Sequence, residues 1–196
     1  MMYGGLADDA ELTICKSEMQ TIRQALLQFK QDMGVLPGQG KLAYSQLKKN
    51  NKLTSYKGNE RRKWFNSPAN MTQLIVKPVD NDSATRHDWN IDTRRGWRGP
   101  YLSQDGNGLV NVGTGTDYAS GTLVENVYAI GDAFDAHPVG SYFEWSNFAG
   151  TPFGEGTIHS RPYIFEDFDT SDARIVSMGP DGAYGNDDDL TLYLFK

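Results

Sequence analysis

The residues with the clearest capacity for chemistry lie near the end of the chain, in Ser177-Met178-Gly179-Pro180-Asp181-Gly182-Ala183-Tyr184-Gly185-Asn186-Asp187-Asp188-Asp189-Leu190. Three consecutive carboxylates and Asp181, held in a glycine-rich loop, repel one another. A hard cation with oxygen ligands relieves that repulsion, and calcium is the natural one. In an extended stretch Asp187 and Asp189 point to one side and Asp188 to the other. The two outer carboxylates can thus share an ion, with carbonyls of the glycine-rich turn completing its shell. The loop lacks the glycine and bidentate glutamate offsets of an EF-hand, and the same residues also suit a solvated acidic turn.

Other chemistry lacks a constellation. His87, His137 and His159 fall in polar, turn-rich contexts without a Gly-x-Ser-x-Gly elbow, which reads as surface or loop histidines. There is no phosphate loop, His-Glu-x-x-His pair or dinucleotide fingerprint. One cysteine, Cys15, excludes an internal disulfide and a thiolate zinc cage. Glu144, Glu155 and Glu166 do not by themselves define a glycosidase pair. The chain reads as a non-enzyme.

The elements that position the loop follow from periodicity. Leu12, Cys15, Met19, Ile22, Leu26, Phe29 and Met33 recur at alternating spacings of three and four, which predicts one amphipathic helix from Asp8 to Met33. Lys16, Glu18, Gln20, Arg23, Gln24, Lys30 and Asp32 fall on its other faces. Asp8 or Asp9 is expected to cap the start, Gly34 to take the left-handed position after the end, and Pro37 to stop continuation. Residues 41–98 read as a basic, loop-rich insertion with a single strand at Leu74-Ile75-Val76. After Gly99, runs rich in Val, Ile, Tyr and Phe alternate with turn residues: Leu109–Val112, Thr122–Ile130, Ser141–Trp145, Pro162–Phe168, Ala173–Met178 and Leu190–Phe195. The expected architecture is α+β, a single domain with a long N-terminal helix (1–40) packed on a C-terminal antiparallel sheet (99–196) that carries the acidic loop.

The chain has 196 residues, 38% of them hydrophobic and 22% charged, enough for a globular core. Its net charge of -6 is unevenly spread. Residues 1–40 hold three Lys/Arg against five Asp/Glu, residues 41–100 thirteen against five, and residues 101–196 three against fifteen. The basic-aromatic clusters Arg61-Arg62-Lys63-Trp64-Phe65 and Arg94-Arg95-Gly96-Trp97-Arg98 could grip a nucleic acid. The acidic C-terminal part would repel that polyanion, so no nucleic-acid partner is expected, and solvated loop charge or docking of an acidic protein patch is favoured. Trp64, Trp97 and Trp145, if exposed, would instead suit an extracellular calcium-dependent module that recognises a glycan or a protein. No run approaches the length of a membrane span, yet Met1-Met2-Tyr3-Gly4-Gly5-Leu6 is apolar and uncapped, as expected downstream of a longer hydrophobic segment.

Taken in order, the helix end Met33-Gly34-Val35-Leu36-Pro37, then Trp97-Arg98-Gly99-Pro100-Tyr101-Leu102, Pro152-Phe153-Gly154 leading to Pro162-Tyr163-Ile164-Phe165, and the closing Ser177-x-Gly-x-Asp-Gly with Gly185-Asn186-Asp187-Asp188-Asp189-Leu190, resemble the major pseudopilin of type II secretion systems. The chain departs from that family in its longer soluble part, in Phe153 where the family has Trp, and in Asp188 where it has Ala. The resemblance implies a pilin-like fold whose N-terminal membrane helix precedes Met1. It implies an inner-membrane-anchored, periplasmic subunit that assembles with copies of itself and with other pseudopilins into a filament. It also implies that calcium is held by the side chains of Asp187 and Asp189. Asp181 and Ser177, which match family positions in the same loop, complete the candidate set. In such a filament the basic segment of one subunit could face the acidic segment of the next.

Overall fold

In the computed structural model, described for residues 4–39, 42, 68–78, 87–103, 109–112, 124–128, 130–134, 142–144, 163–180 and 187–196, the chain is α+β. Helix α1 spans Gly4–Met33, about 45 Å at 1.5 Å per residue. It begins four residues before the expected start, so Asp8 and Asp9 lie inside it rather than at its N-terminus. Its end falls as expected: Gly34 adopts φ 82° and donates its N–H to the Lys30 carbonyl at 2.8 Å.

The apolar stripe is the inner face of α1. Cys15, Met19, Ile22, Leu26 and Phe29 are buried, while Leu12 and Met33 are half-buried at its ends. Each large member removed from water contributes about 1.5–3 kcal/mol. Three polar residues expected on the other faces are drawn inward instead: Asp32 is buried, and Glu18 and Arg23 are half-buried.

The stripe packs on an antiparallel sheet of β4 (Ile164–Glu166), β5 (Arg174–Ser177) and β6 (Leu190–Tyr193), in the order β4-β5-β6. The register aligns Phe165 with Ile175 and Ile175 with Leu192. Strand alternation puts these three on the helix-facing side together with Tyr163 and Ser177. On the opposite side lie Ile164 and Val176, also buried, and the cross-strand pair Glu166–Arg174, with Arg174 Nε 2.6 Å from Glu166 Oε2. Arg174 Nη1 reaches Asp167 Oδ2 at 2.7 Å. From the helix, Arg23 donates to the carbonyls of Leu194 at 3.1 Å and Lys196 at 3.3 Å, tying the last strand to α1.

A second three-stranded sheet contains β1 (Leu109–Val112), β2 (Val124–Tyr128) and β3 (Tyr142–Glu144), in the order β2-β1-β3. The β1–β2 pairing is antiparallel, but β1–β3 is parallel. All six strands therefore lie within their expected segments, divided between two sheets rather than joined in one antiparallel sheet. Leu74-Ile75-Val76 is not a strand. A 3-10 turn at Pro68–Met71 leads into the short helix α2 (Thr72–Ile75), and Val76 is extended. Three apolar residues are compatible with either period, and Leu74 reaches the same core by the helical route.

The segment 87–102 wraps the C-terminal end of α1. Gly96 N–H donates to the Asp32 carbonyl at 3.0 Å, and Arg95 Nη1 donates to the Gln31 carbonyl at 2.7 Å, satisfying carbonyls that a helix end leaves open. The Asp32 carboxylate accepts from Gln28 Nε2 and from the Tyr101 hydroxyl, each at 3.1 Å. Burial pushes the Tyr101 phenol up to about 12, which keeps it a donor. Trp97 Nε1 donates to the Gln73 carbonyl at 3.0 Å, and Tyr101 N–H to that of Leu74 at 2.7 Å, so the same segment secures α2. Gly96 is required for this path: its φ is 120°, and a Cβ there would lie 2.1 Å from the Asp88 carbonyl oxygen. Gly96→Ala is expected to destabilise the fold by at least about 2 kcal/mol, measured by denaturant unfolding. A change within about 0.5 kcal/mol, the ordinary range for a surface substitution, would contradict this role.

Candidate functional site

Ser177 ends β5, and its hydroxyl accepts the Gly179 N–H at 3.2 Å, folding the chain sharply as it leaves the sheet. Gly179, at φ 64°, lies against the returning strand: a Cβ would sit 2.5 Å from the Asp188 carbonyl oxygen and 2.9 Å from Asp188 Oδ2. The two ends of the acidic loop are thereby brought into contact, with Asp188 over the turn. The residue expected to face away is the one at the closure.

Around that closure Asp187 is exposed and Asp189 half-buried, its Oδ1 shielded from solvent. Alternation from Leu190, which pairs with Ser177 in the ladder, directs Asp189 to the face of Glu166, opposite the helix. The charges agree with that placement. The Glu166 carboxyl is raised chiefly by burial, which outweighs the attraction of Arg174, and the charges of Asp167 and Asp189 raise it further. Ser177 lies on the other face, fully buried, with its hydroxyl turned to Gly179 and to the helix-side core. It is thus separated by the sheet from Asp189. Asp181 lies outside the described residues. No group of three or more His, Cys, Asp or Glu side chains is gathered among the described residues in a way that would hold a metal. Of the candidate set, Asp187 and Asp189 fit calcium by donor chemistry, being carboxylates at the mouth of a closed loop, whereas Ser177 Oγ is committed to the turn.

Behind Ser177 lies a buried polar cluster that local sequence patterns did not mark. Tyr163 is fully buried, and its hydroxyl donates to Glu18 Oε2 of α1 at 2.7 Å; burial, then the Asp132 charge and this bond, push the phenol far up. Asp132 is 5% exposed. Its Oδ1 accepts the Phe134 N–H at 3.2 Å, and Oδ2 is buried with no hydrogen-bond partner. Burial raises the Asp132 carboxyl to about 6; the Ser177 hydroxyl, the Phe134 N–H and the Met178 N–H offset this in part, while the Glu18 charge adds to it. Cys15 completes the group, its Sγ 3.8 Å from Met19 Sδ and its thiol pushed up to about 11, mainly by burial. An acidic residue in a turn-rich stretch reads as exposed, and only the tertiary approach of α1 and β5 buries Asp132.

The basic-aromatic segment 94–98 is occupied internally. Arg95 caps α1, Trp97 is half-buried with its N–H bonded to Gln73, and Arg98 lies over the Trp89 ring, 4.6 Å from its centroid. His87 is half-buried, and its carbonyl accepts the Trp97 N–H at 2.6 Å. Arg61-Arg62-Lys63-Trp64-Phe65, Trp145, His137 and His159 lie outside the described residues.

Compared with protein-family models, with curated proteins and with solved structures, the chain matches none.

The thiol gives a direct check on this site. Cys15 is fully buried and raised by about two pH units, so at pH 7.5 it should react with a thiol reagent at least about a hundredfold more slowly than in denaturant. Rapid labelling of the folded protein would show that the cluster is open.

Proposed function

We propose that the chain is a structural subunit of a periplasmic pseudopilus or pilus-like filament of a bacterial secretion machine. It would be anchored in the inner membrane by a helix continuous with α1 and would carry a calcium-stabilised C-terminal loop. The observation that carries the reading is the form of α1. No residue from Asp9 to Ile14 is buried, and Ile14 is 51% exposed, so this stretch stands largely out of the core that engages the helix from Cys15 onward, with Glu11 and Leu12 half-buried. A helix that projects in this way can pack against copies of itself while the sheet holds its other end. The ordered resemblance of the helix end, the Trp97–Leu102 stretch and the closing loop to the major pseudopilin supports the same reading. The pilin-like fold belongs to this proposal, and it assigns the chain no catalytic role.

In the proposal Asp187 and Asp189 hold the ion, with Asp181 of the same sequence stretch as a further candidate. Bound calcium would cancel the repulsion among the carboxylates and keep the contact between Gly179 and Asp188 closed. The chemistry it supplies is electrostatic neutralisation, nothing more. A filament of this kind uses heterologous contacts, for which the basic segment 41–100 and the acidic segment 101–196 are complementary.

The test is the gene sequence upstream of Met1 together with the first residue of the mature native protein. The expected result is a short basic leader, cleaved before an apolar run of about 20 residues that enters α1. An ordinary signal peptide removed just before Met1 would overturn the filament reading. The calcium part is checked separately by thermal melting. A hundredfold excess of calcium over its dissociation constant should stabilise the protein by about 2.7 kcal/mol, and Asp187→Ala combined with Asp189→Ala should abolish that gain. Equal melting of wild type and double variant, with and without chelator, would remove the ion from the account.

A further inference from the structure

The segment Ile130–Phe134 is held to the rest of the fold by apolar anchors at both ends and one acid between them. Ile130, Ala133 and Phe134 pack against the main core, and the Ile130 carbonyl accepts the Tyr163 N–H at 3.1 Å. Asp132 enters the cleft between α1 and the end of β5, with Oδ2 buried and unpartnered. The groups facing it are Glu18 and Cys15 from α1, Tyr163 from the residue before β4, and the Ser177 hydroxyl and Met178 N–H from the end of β5. The charged group among them is a second carboxylate, Glu18, already engaged by the Tyr163 hydroxyl. An ionised Asp132 thus sits in a site where the Phe134 N–H, the Ser177 hydroxyl and the Met178 N–H only partly offset its burial, with a like charge and no counter-ion among the described residues facing it. The neutral acid avoids the charge-burial cost.

We propose that Asp132 is a proton-operated latch: the 130–134 segment docks tightly on α1 and β5 when the Asp132 carboxyl is neutral and loosens when it is ionised. Opening would part Ile130, Ala133 and Phe134 from the core and Asp132 from the groups it faces. The inference is independent of the filament reading, because it uses no residue of the acidic loop beyond the turn at Ser177.

The sign follows from linkage. A carboxyl raised in the folded state holds its proton more tightly there than in the open state, so docking is strongest below the ordinary carboxylate value of 3.8. That advantage is lost as pH rises from there to about 6 and does not change further above it. The opening equilibrium should rise about a hundredfold across that window.

Hydrogen exchange of the 130–134 amides, corrected for the intrinsic pH dependence of exchange, reads this directly at pH 4, 5, 6 and 7.5. In wild type, protection should fall by up to about a hundredfold between pH 4 and 7. Asp132→Asn should show a flat profile and at pH 7.5 retain the protection wild type has at pH 4. Glu18→Gln should shift the midpoint downward by removing the like charge. Flat protection in wild type, or the wild-type slope persisting in Asp132→Asn, would overturn the latch. If Asp132→Asn fails to fold, a carboxyl-carbon NMR titration of wild type decides: a midpoint near 6 supports the proposal, and one near 4 overturns it.

Discussion

The fold depends on one contact, the burial of a single helical stripe against one face of one small sheet. Cys15, Met19, Ile22, Leu26 and Phe29 supply the helix side, and Tyr163, Phe165, Ile175 and Leu192 the sheet side. Nearly every polar feature is arranged around the ends of that contact. At the C-terminal end of α1, Asp32, Arg95, Gly96 and Tyr101 close the open carbonyls and secure α2. At the end nearer Cys15, the core becomes polar, and Glu18, Tyr163, Asp132 and Ser177 share one buried space. The acidic loop springs from that same place, so its geometry is set by the last residue of β5 that the helix still covers.

Ser177 shows how the two sides of the sheet are kept distinct. Its hydroxyl faces the helix and fixes the turn through the Gly179 N–H, while the carboxylate of Asp189 is directed to the opposite face, beside Glu166 and Arg174. The sheet thus separates two acidic environments. On one side Glu166 is buried but paired with Arg174; on the other Asp132 is buried and faces Glu18. Both carboxyls are raised by desolvation, and among the described residues the first has a cation, Arg174, to oppose it, whereas the second faces a like charge.

Local patterning announced the elements well where one period dominates. The alternating three-and-four spacing from Leu12 to Met33 defines the inner face of α1, and the Val, Ile and Phe runs mark the centres of all six strands. It was silent on what distant segments do to one another. Nothing around Leu109 or Tyr142 distinguishes a parallel from an antiparallel partner. Nothing around Asp32 or Asp132 indicates burial, because the Tyr101, Gln28 and Ser177 groups that make burial tolerable come from other parts of the chain or of the helix. In the acidic loop the residue types were readable but the closure was not: Asp188 lies against Gly179, which has no side chain to keep it away.

The sequence separations across the central contact have a consequence for synthesis. Tyr163 bonds Glu18 across 145 residues, and Arg23 bonds the Leu194 carbonyl across 171. The face of α1 that these partners cover is complete once Met33 has emerged from the ribosome, yet its cover arrives more than a hundred residues later. At translation rates of about 5–20 residues per second, the stripe waits for roughly ten seconds or more. During that interval the stripe lacks its sheet partners, although Phe29 can already meet Tyr101. The nascent chain is then a substrate for a holding chaperone, and loop closure over this distance makes the final docking slow.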